Sequence, residues 1–106
     1  MFINLTPHDV TIRKVDGSEV TYPPAGPVPR VQETKEEIAV VDGVPFVRVR
    51  YGQVEGLPRP MDGAYLMVST LIRQALPERQ DLVSPGDSIR NEDGLIVGCR
   101  ALYSNG

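Results

Sequence analysis

Two arginines in one predicted strand are the residues of this sequence best suited to binding chemistry. Arg48 and Arg50 stand two positions apart in the run Val44 to Tyr51, so they share one face of an extended strand. A guanidinium group presents a planar set of donors that fits a phosphate or carboxylate in a bidentate way. The pair therefore predicts a site for an anion. The alternative is a solvated sheet face, with the arginines paired to glutamates of the preceding segment.

Several other residues extend this predicted site. Tyr51 offers an aromatic face on which a base or ring can stack, with rim or core packing as the alternative. Ser69 and Thr70 stand at the predicted start of a helix, where free amides attract anions, although an ordinary N-cap role needs no ligand. The further arginines that we consider as members of the site are Arg30, Arg90 and Arg100.

The lone histidine and the lone cysteine are the candidates for catalytic chemistry. His8 precedes Asp9, and a histidine oriented by a carboxylate can act as a general base, but a turn residue is the favoured interpretation. We keep His8 among the predicted ligand-binding residues. Cys99 lies in an apolar run, which favours a buried structural thiol over a reactive one. No glycine-rich phosphate loop, nucleophile elbow or His-x-x-x-His spacing occurs, so we predict no enzyme, catalytic residue or cofactor.

Length and composition limit the class of protein. A chain of 106 residues fits one domain, 1–106, and its 41% hydrophobic and 24% charged residues are ordinary for a globular protein. The net charge of −3 argues against binding nucleic acid or an anionic membrane by bulk charge. One cysteine permits no intrachain disulfide, and with one histidine it excludes a Cys/His zinc site.

The segment from Ala64 to Leu76 is the centre of the predicted fold. Its first half is apolar on both faces, as in an interior strand, and its second half predicts a helix over Thr70 to Leu76 that Pro77 ends. Arg73 and Gln74 are predicted to point to water. The residues predicted to pack on the sheet are Leu71, Ile72, Ala75 and Leu76.

The rest of the chain alternates between short strands and turns. Asp16-Gly17 predicts a hairpin turn before Glu19 to Tyr22, and Asp42-Gly43 predicts another between a polar edge strand and the arginine strand. The segments 52–63 and 84–87 are predicted as a loop and a turn, and a hairpin with its turn at residues 91–94 closes the chain. We predict a mainly β (α+β) fold: a small curled antiparallel sheet or partly open β-barrel of six to seven short strands with one short helix.

Several motifs together resemble a family of small uncharacterised proteins of tailed bacteriophages and prophages. The resemblance covers most of the chain and implies a phage protein in the cytoplasm of a bacterial host, which agrees with the lack of a signal peptide or membrane-spanning run. It transfers no activity. Small phage accessory proteins of this kind often act against host defence, by blocking a host protein or sequestering a nucleotide-derived signal. The motifs are Asn4-Leu5-Thr6-Pro7-His8, Arg50-Tyr51-Gly52 with Gly56-Leu57-Pro58, Tyr65-Leu66-Met67-Val68-Ser69, and Gly94-Leu95-Ile96-Val97-Gly98-Cys99-Arg100.

These observations lead to one predicted function and two alternatives. The first is a non-enzymatic phage accessory protein that sequesters a small anionic, nucleotide-like ligand, a counter-defence sponge. Because so small a domain has little interior for a closed pocket, we expect the site to be shared between subunits of a homo-oligomer. One alternative is a protein-interaction module or inhibitor of a host defence protein that uses the strand edge from Arg30 to Glu37. The other is a small phage structural protein.

Overall fold

The computed structural model describes all 106 residues, which form eight strands and one helix. Six strands make one sheet in the order β1-β6-β7-β8-β2-β3, and two long strands make a separate ribbon, β4-β5. The prediction of a mainly β, barrel-like fold with one short helix is confirmed. The elements are β1 (Phe2–Asn4), β2 (Val10–Arg13), β3 (Glu19–Tyr22), β4 (Arg30–Val41), β5 (Val44–Glu55), β6 (Tyr65–Met67), α1 (Thr70–Ala75), β7 (Leu82–Arg90) and β8 (Ile96–Ser104).

Strand pairing in the six-stranded sheet is mixed rather than antiparallel throughout. The hairpins β2-β3 and β7-β8 are antiparallel, and the turns predicted from Asp16-Gly17 and from residues 91–94 lie between their strands. The pairs β1-β6, β6-β7 and β2-β8 are parallel. A hairpin is encoded in one stretch of sequence, whereas the β1-β6 and β2-β8 pairings join strands from distant parts of the chain.

Strand β7 runs through residues that sequence reasoning assigned to a turn. The prediction of a turn over 84–87 is wrong, because Pro85 and Gly86 pair with Leu102 and Ala101 of β8. Proline is tolerated here because the register of β6 on β7 ends at Val83, which leaves the next residues paired on one side only. Glycine is required because the Tyr103 ring lies where a side chain at position 86 would project.

Likewise, the predicted loop 52–63 starts too early. Strand β5 continues to Glu55, which pairs with Arg30. The register shifts between Val31 and Glu33, and Gly52 lies at this irregularity with the Gln32 side chain against it. A bulge of this kind lets a strand continue through a glycine, although the glycine suggests from sequence alone that the strand ends there.

The core consists of two clusters, one on each face of the central strand β6. Leu66 packs on the face that carries the helix, and Met67 packs on the opposite face, as alternation along a strand requires. Both side chains are fully buried, which agrees with the predicted interior strand. The helix-side cluster is Leu5, Leu66, Val68, Ile72 and Leu82, and the second cluster is Val10, Met67, Val83 and Cys99.

Helix α1 is close to its predicted limits, but several of its side chains point differently. Of the residues predicted to pack on the sheet, Ile72 is buried, whereas Leu71 and Ala75 are exposed. Ser69 is the N-cap, as its sequence position indicates. The prediction that Arg73 points to water is wrong: its Nε donates to the buried Ser84 hydroxyl at 2.8 Å, and a terminal nitrogen donates to Asn105 at 3.2 Å. The Asn105 amide donates back to the Arg73 and Leu76 carbonyls, so it caps the helix C-terminus. The chain has no helix that is long and apolar enough to cross a membrane.

The ribbon β4-β5 projects from the body as an arm. Asp42 and Gly43 both have positive φ at its tip, the geometry of the tight hairpin turn that Asp-Gly predicts. Only Val31 and Val54 at its base pack against the helix-side cluster, and the ribbon is otherwise exposed. The radius of gyration is therefore 16.6 Å, against about 13 Å for a compact domain of this length.

Asn4 closes the six-stranded sheet on itself. Its side chain is buried, and its amide donates to the carbonyl oxygens of His8 and Tyr22, each at 2.8 Å. Its side-chain oxygen accepts from the amide and the hydroxyl of Thr6. The Asn4 carbonyl also accepts from the Ala25 amide at 2.8 Å. The edge strands β1 and β3 are thus joined by one residue rather than by a continuous ladder.

We expect Asn4→Ala to lower the free energy of unfolding by about 2–4 kcal/mol, because several buried polar groups lose their partner at once. Chemical denaturation measures this change. The matched control is Asn91→Ala, since Asn91 also accepts from two backbone amides but is exposed, and water can replace it. A loss below about 1 kcal/mol, equal to the control, would show that closure does not depend on Asn4.

Candidate anion-binding groove

The predicted arginine pair lies midway along the arm. Arg48 and Arg50 share one face of the ribbon as predicted, opposite Glu36 and Thr34 of β4. Neither guanidinium has a hydrogen-bond or ion-pair partner. Tyr51, 52% exposed, alternates to the other face, so within one chain it does not share a ligand with the two arginines.

The helix start lies on the body and is already occupied by its own cap. The Ser69 hydroxyl accepts from the Ile72 amide at 3.3 Å, and the Ser69 carbonyl accepts from the Arg73 amide. Thr70 is the first of only six helical residues. The ordinary N-cap interpretation of Ser69 therefore accounts for the geometry seen here.

The remaining predicted residues lie at three separate places. Arg90 donates to the Gly94 carbonyl at 2.7 Å across the β7-β8 turn. Arg30 is exposed at the base of the arm. His8 contributes its carbonyl oxygen to the Asn4 cluster, and its imidazole has no partner. A single chain does not bring the predicted set together.

The structure instead forms a groove at the seam where the sheet closes. The groove has a volume of about 460 Å³ and lies beside the second core cluster. Its floor includes Phe2 and Tyr22, whose rings meet edge to face with centroids 5.8 Å apart. Its lining residues are Phe2, Ile12, Arg13, Lys14, Val15, Val20, Tyr22, Arg100, Ala101 and Leu102.

Three cationic side chains stand at one end of this groove. Arg13, Lys14 and Arg100 also line an adjoining depression of about 230 Å³. Arg13 pairs with Glu19 at 3.1 Å, but both side chains are substantially exposed, and such a pair is weak. Lys14 and Arg100 contact no carboxylate within 4 Å. The mouth therefore carries an excess of positive charge.

The carboxylate of Asp16, two residues after Lys14, is engaged within its own turn. Hydrogen bonds from the hydroxyl and the amide of Ser18 hold the pKa of Asp16 below its usual range, with a smaller contribution from the charge of Lys14. Asp16 therefore remains ionised at neutral pH but makes no ion pair with Lys14. The lysine ammonium is left available to an incoming anion.

The register between neighbouring strands explains how the residues of the groove come together. Ile12 of β2 is the Cα partner of Cys99 of β8, so Arg13 and Arg100 each follow a member of that pair. The antiparallel hairpin places Val20 and Tyr22 of β3 beside Ile12 and Val10. Sequence reasoning considered Arg100, but it missed its neighbours, because the β2-β8 pairing links positions almost ninety residues apart.

Two other cavities are less suited to an anion. One, of about 190 Å³ beside Cys99, is smaller than ordinary ligand sites. The other, of about 290 Å³, is lined by Asp62 and Asp81 and by no cationic side chain. Cys99 itself is buried, and desolvation raises the pKa of its thiol above the usual range, which disfavours the nucleophilic thiolate.

We expect the folded protein to react with a disulfide reagent such as DTNB at pH 8 at least about tenfold more slowly than the urea-unfolded chain. The reason is that burial both covers the Cys99 sulfur and raises its pKa, which lowers the thiolate fraction. Release of the coloured thiolate measures the rate. Equal rates in the two states would contradict the structural role of this thiol.

No protein-family model, no curated protein and no solved structure matches this chain. The phage-family resemblance therefore stays a prediction from motifs. The groove at the sheet seam, with an aromatic floor and a cationic mouth, is the best candidate for a functional site.

Proposed function

We propose that this chain is a phage-encoded accessory protein that binds and sequesters a small anionic, nucleotide-like ligand without turning it over. The observation that carries the proposal is the seam groove, where an apolar, aromatic floor ends in three cationic side chains. The proposed site is therefore on the body of the protein and not at the arginine pair of the arm. The phage context and the placement in the host cytoplasm rest on the sequence motifs.

The groove has features that suit each part of such a ligand. Its volume of about 460 Å³ falls within the range of ordinary small-molecule sites. Phe2 and Tyr22 offer apolar and aromatic surface to a base or ring. Lys14 and Arg100 offer an ammonium and a guanidinium to phosphate oxygens, at no cost in broken ion pairs.

Because the cationic groups of the groove are exposed, the affinity that they give should depend on salt concentration. Arg13 is 37% exposed at its side chain, and Lys14 and Arg100 are exposed. Charge attraction at such sites is screened by salt over a Debye length of about 8 Å at physiological ionic strength. Affinity for the ligand is therefore expected to fall with added salt. The part of the affinity that comes from burying the ring on the groove floor is less sensitive to salt.

Placement of the potentially reactive side chains supports binding rather than catalysis. The Cys99 thiol has a raised pKa and lies beside a different cavity. The His8 imidazole is exposed in the loop after β1 and does not line the groove. The groove itself offers cationic side chains and aromatic surface, which can hold a ligand.

We expect one or more members of a panel of nucleotides, cyclic dinucleotides and nucleotide sugars to raise the melting temperature of the wild-type protein. At a ligand concentration of about 100 times Kd the stabilisation is about 2.7 kcal/mol, or about 10 °C for a domain of this size. Inorganic pyrophosphate and the free nucleoside, tested beside the best ligand, separate the cationic mouth from the aromatic floor.

The variant that tests the site is Lys14→Gln/Arg100→Gln, for which Kd by calorimetry should rise at least tenfold, since each lost charge-assisted contact contributes about 1.5 kcal/mol. The matched control is Lys35→Gln/Arg59→Gln, which removes the same charge from residues outside the groove and should leave Kd unchanged. The proposal is wrong if no panel member stabilises the protein, or if the two double variants bind equally.

A further inference from the structure

One face of the arm is exposed and carries an ordered pattern of charge and size. We call it the arginine face. Phe46 on this face is 49% exposed, and Val44 beyond it is 56% exposed, so large apolar side chains lie in solvent along this face. From the register of β4 on β5, the arginine face consists of Thr34, Glu36 and Ala39 opposite Arg50, Arg48 and Phe46.

The two strands of the arginine face are complementary to each other. Glu36 of β4 lies directly opposite Arg48 of β5, yet the two make no ion pair within 4 Å. The small Ala39 lies opposite the large Phe46. Acidic and small side chains thus follow one strand, while basic and large side chains follow the other.

We propose that the arginine face docks on the same face of a second copy of this chain, through a two-fold axis parallel to the arm. Rotation about that axis places β4 of one copy over β5 of its partner at the same height. Glu36 then faces Arg48 of the partner subunit, and Phe46 faces Ala39 of the partner subunit. Both contacts occur twice, as isologous symmetry requires, so unpaired charges gain partners and large side chains meet small ones.

Docking through a strand edge is less favourable than docking through this face. Strand β4 carries Glu33, Glu36 and Glu37 against two bases, of which Arg30 lies at the base of the arm and Lys35 already pairs with Glu33 at 3.3 Å. Pairing of two β4 edges would oppose like charges across the new ladder, which destabilises a sheet. Pairing of two β5 edges would do the same with Arg48 and Arg50. The face, in contrast, opposes unlike charges.

The size of the arginine face determines how tight the dimer is. A strand of 12 residues is about 40 Å long and a two-stranded ribbon about 10 Å wide, so one face offers about 400 Å² per copy. The total of about 800 Å² is at the low end of specific interfaces. The structure therefore points to a dimer that dissociates on dilution. This inference does not depend on the proposed ligand.

Sedimentation velocity over a range of protein concentrations tests the proposal, with Glu36→Arg and Arg48→Glu as the informative variants. Wild type should show a dimer whose fraction rises with concentration. Glu36→Arg makes the face uniformly basic, and Arg48→Glu makes it net acidic with Arg50 as its one remaining base. In each variant alone, positions 36 and 48 of the two copies then oppose like charges, so the dimer dissociation constant should rise at least tenfold. An equal mixture of the two variants should form a heterodimer at least as tight as the wild-type dimer, since a basic face then meets an acidic one.

The mixture distinguishes association from effects inside one chain, because only contact between copies can restore what each variant has lost. Arg59→Glu is the control, since this exposed arginine lies in the loop after the arm and the variant should dimerise like wild type. The proposal is overturned if wild type remains monomeric at every concentration, or if the mixture stays monomeric. Neither result would affect ligand binding in the seam groove, which is measured separately.

Discussion

Closure of the six-stranded sheet through the buried side chain of Asn4 is the interaction on which the rest of the structure depends. The edge strands β1 and β3 do not form a ladder of their own, and one amide group bridges them by donating to Tyr22 and His8. The same closure brings Phe2, two residues earlier on β1, against the ring of Tyr22. The aromatic floor of the seam groove therefore depends on closure of the sheet. That closure depends in turn on Asn4, a polar residue of the first strand.

The parts of the fold that the sequence predicted are those encoded locally. Asp16-Gly17 and Asp42-Gly43 determine tight turns through the backbone freedom of their glycines, and each lies between the strands expected on either side. The interior strand β6 was predictable because both of its faces are apolar over consecutive residues. Pro85 misled the prediction, because whether a strand tolerates proline depends on where its neighbour ends, and that is a property of the whole sheet.

The candidate site was less predictable than the fold, for a related reason. Alternation along a strand predicts which side chains share a face, and it placed Arg48 and Arg50 together correctly. It does not predict which faces of distant strands meet. Arg13 and Arg100 come together only through the parallel pairing of β2 with β8, a contact with no signature in either segment. The one signal of this site in the sequence was a pair of adjacent basic residues, Arg13-Lys14, at the end of a strand.

The two proposed surfaces lie on different parts of the molecule, one on the arm and one on the six-stranded sheet. The base of the arm packs through Val31 and Val54 on the helix-side cluster, whereas the groove lies beside the second cluster, around Met67 on the other face. The proposed dimer would use the arginine face of the arm, and none of its residues lines the groove, so each copy would keep its own groove lining. In such a dimer, the residues of one chain would determine the ligand affinity of each site. Dimerisation would change only the number of sites per particle.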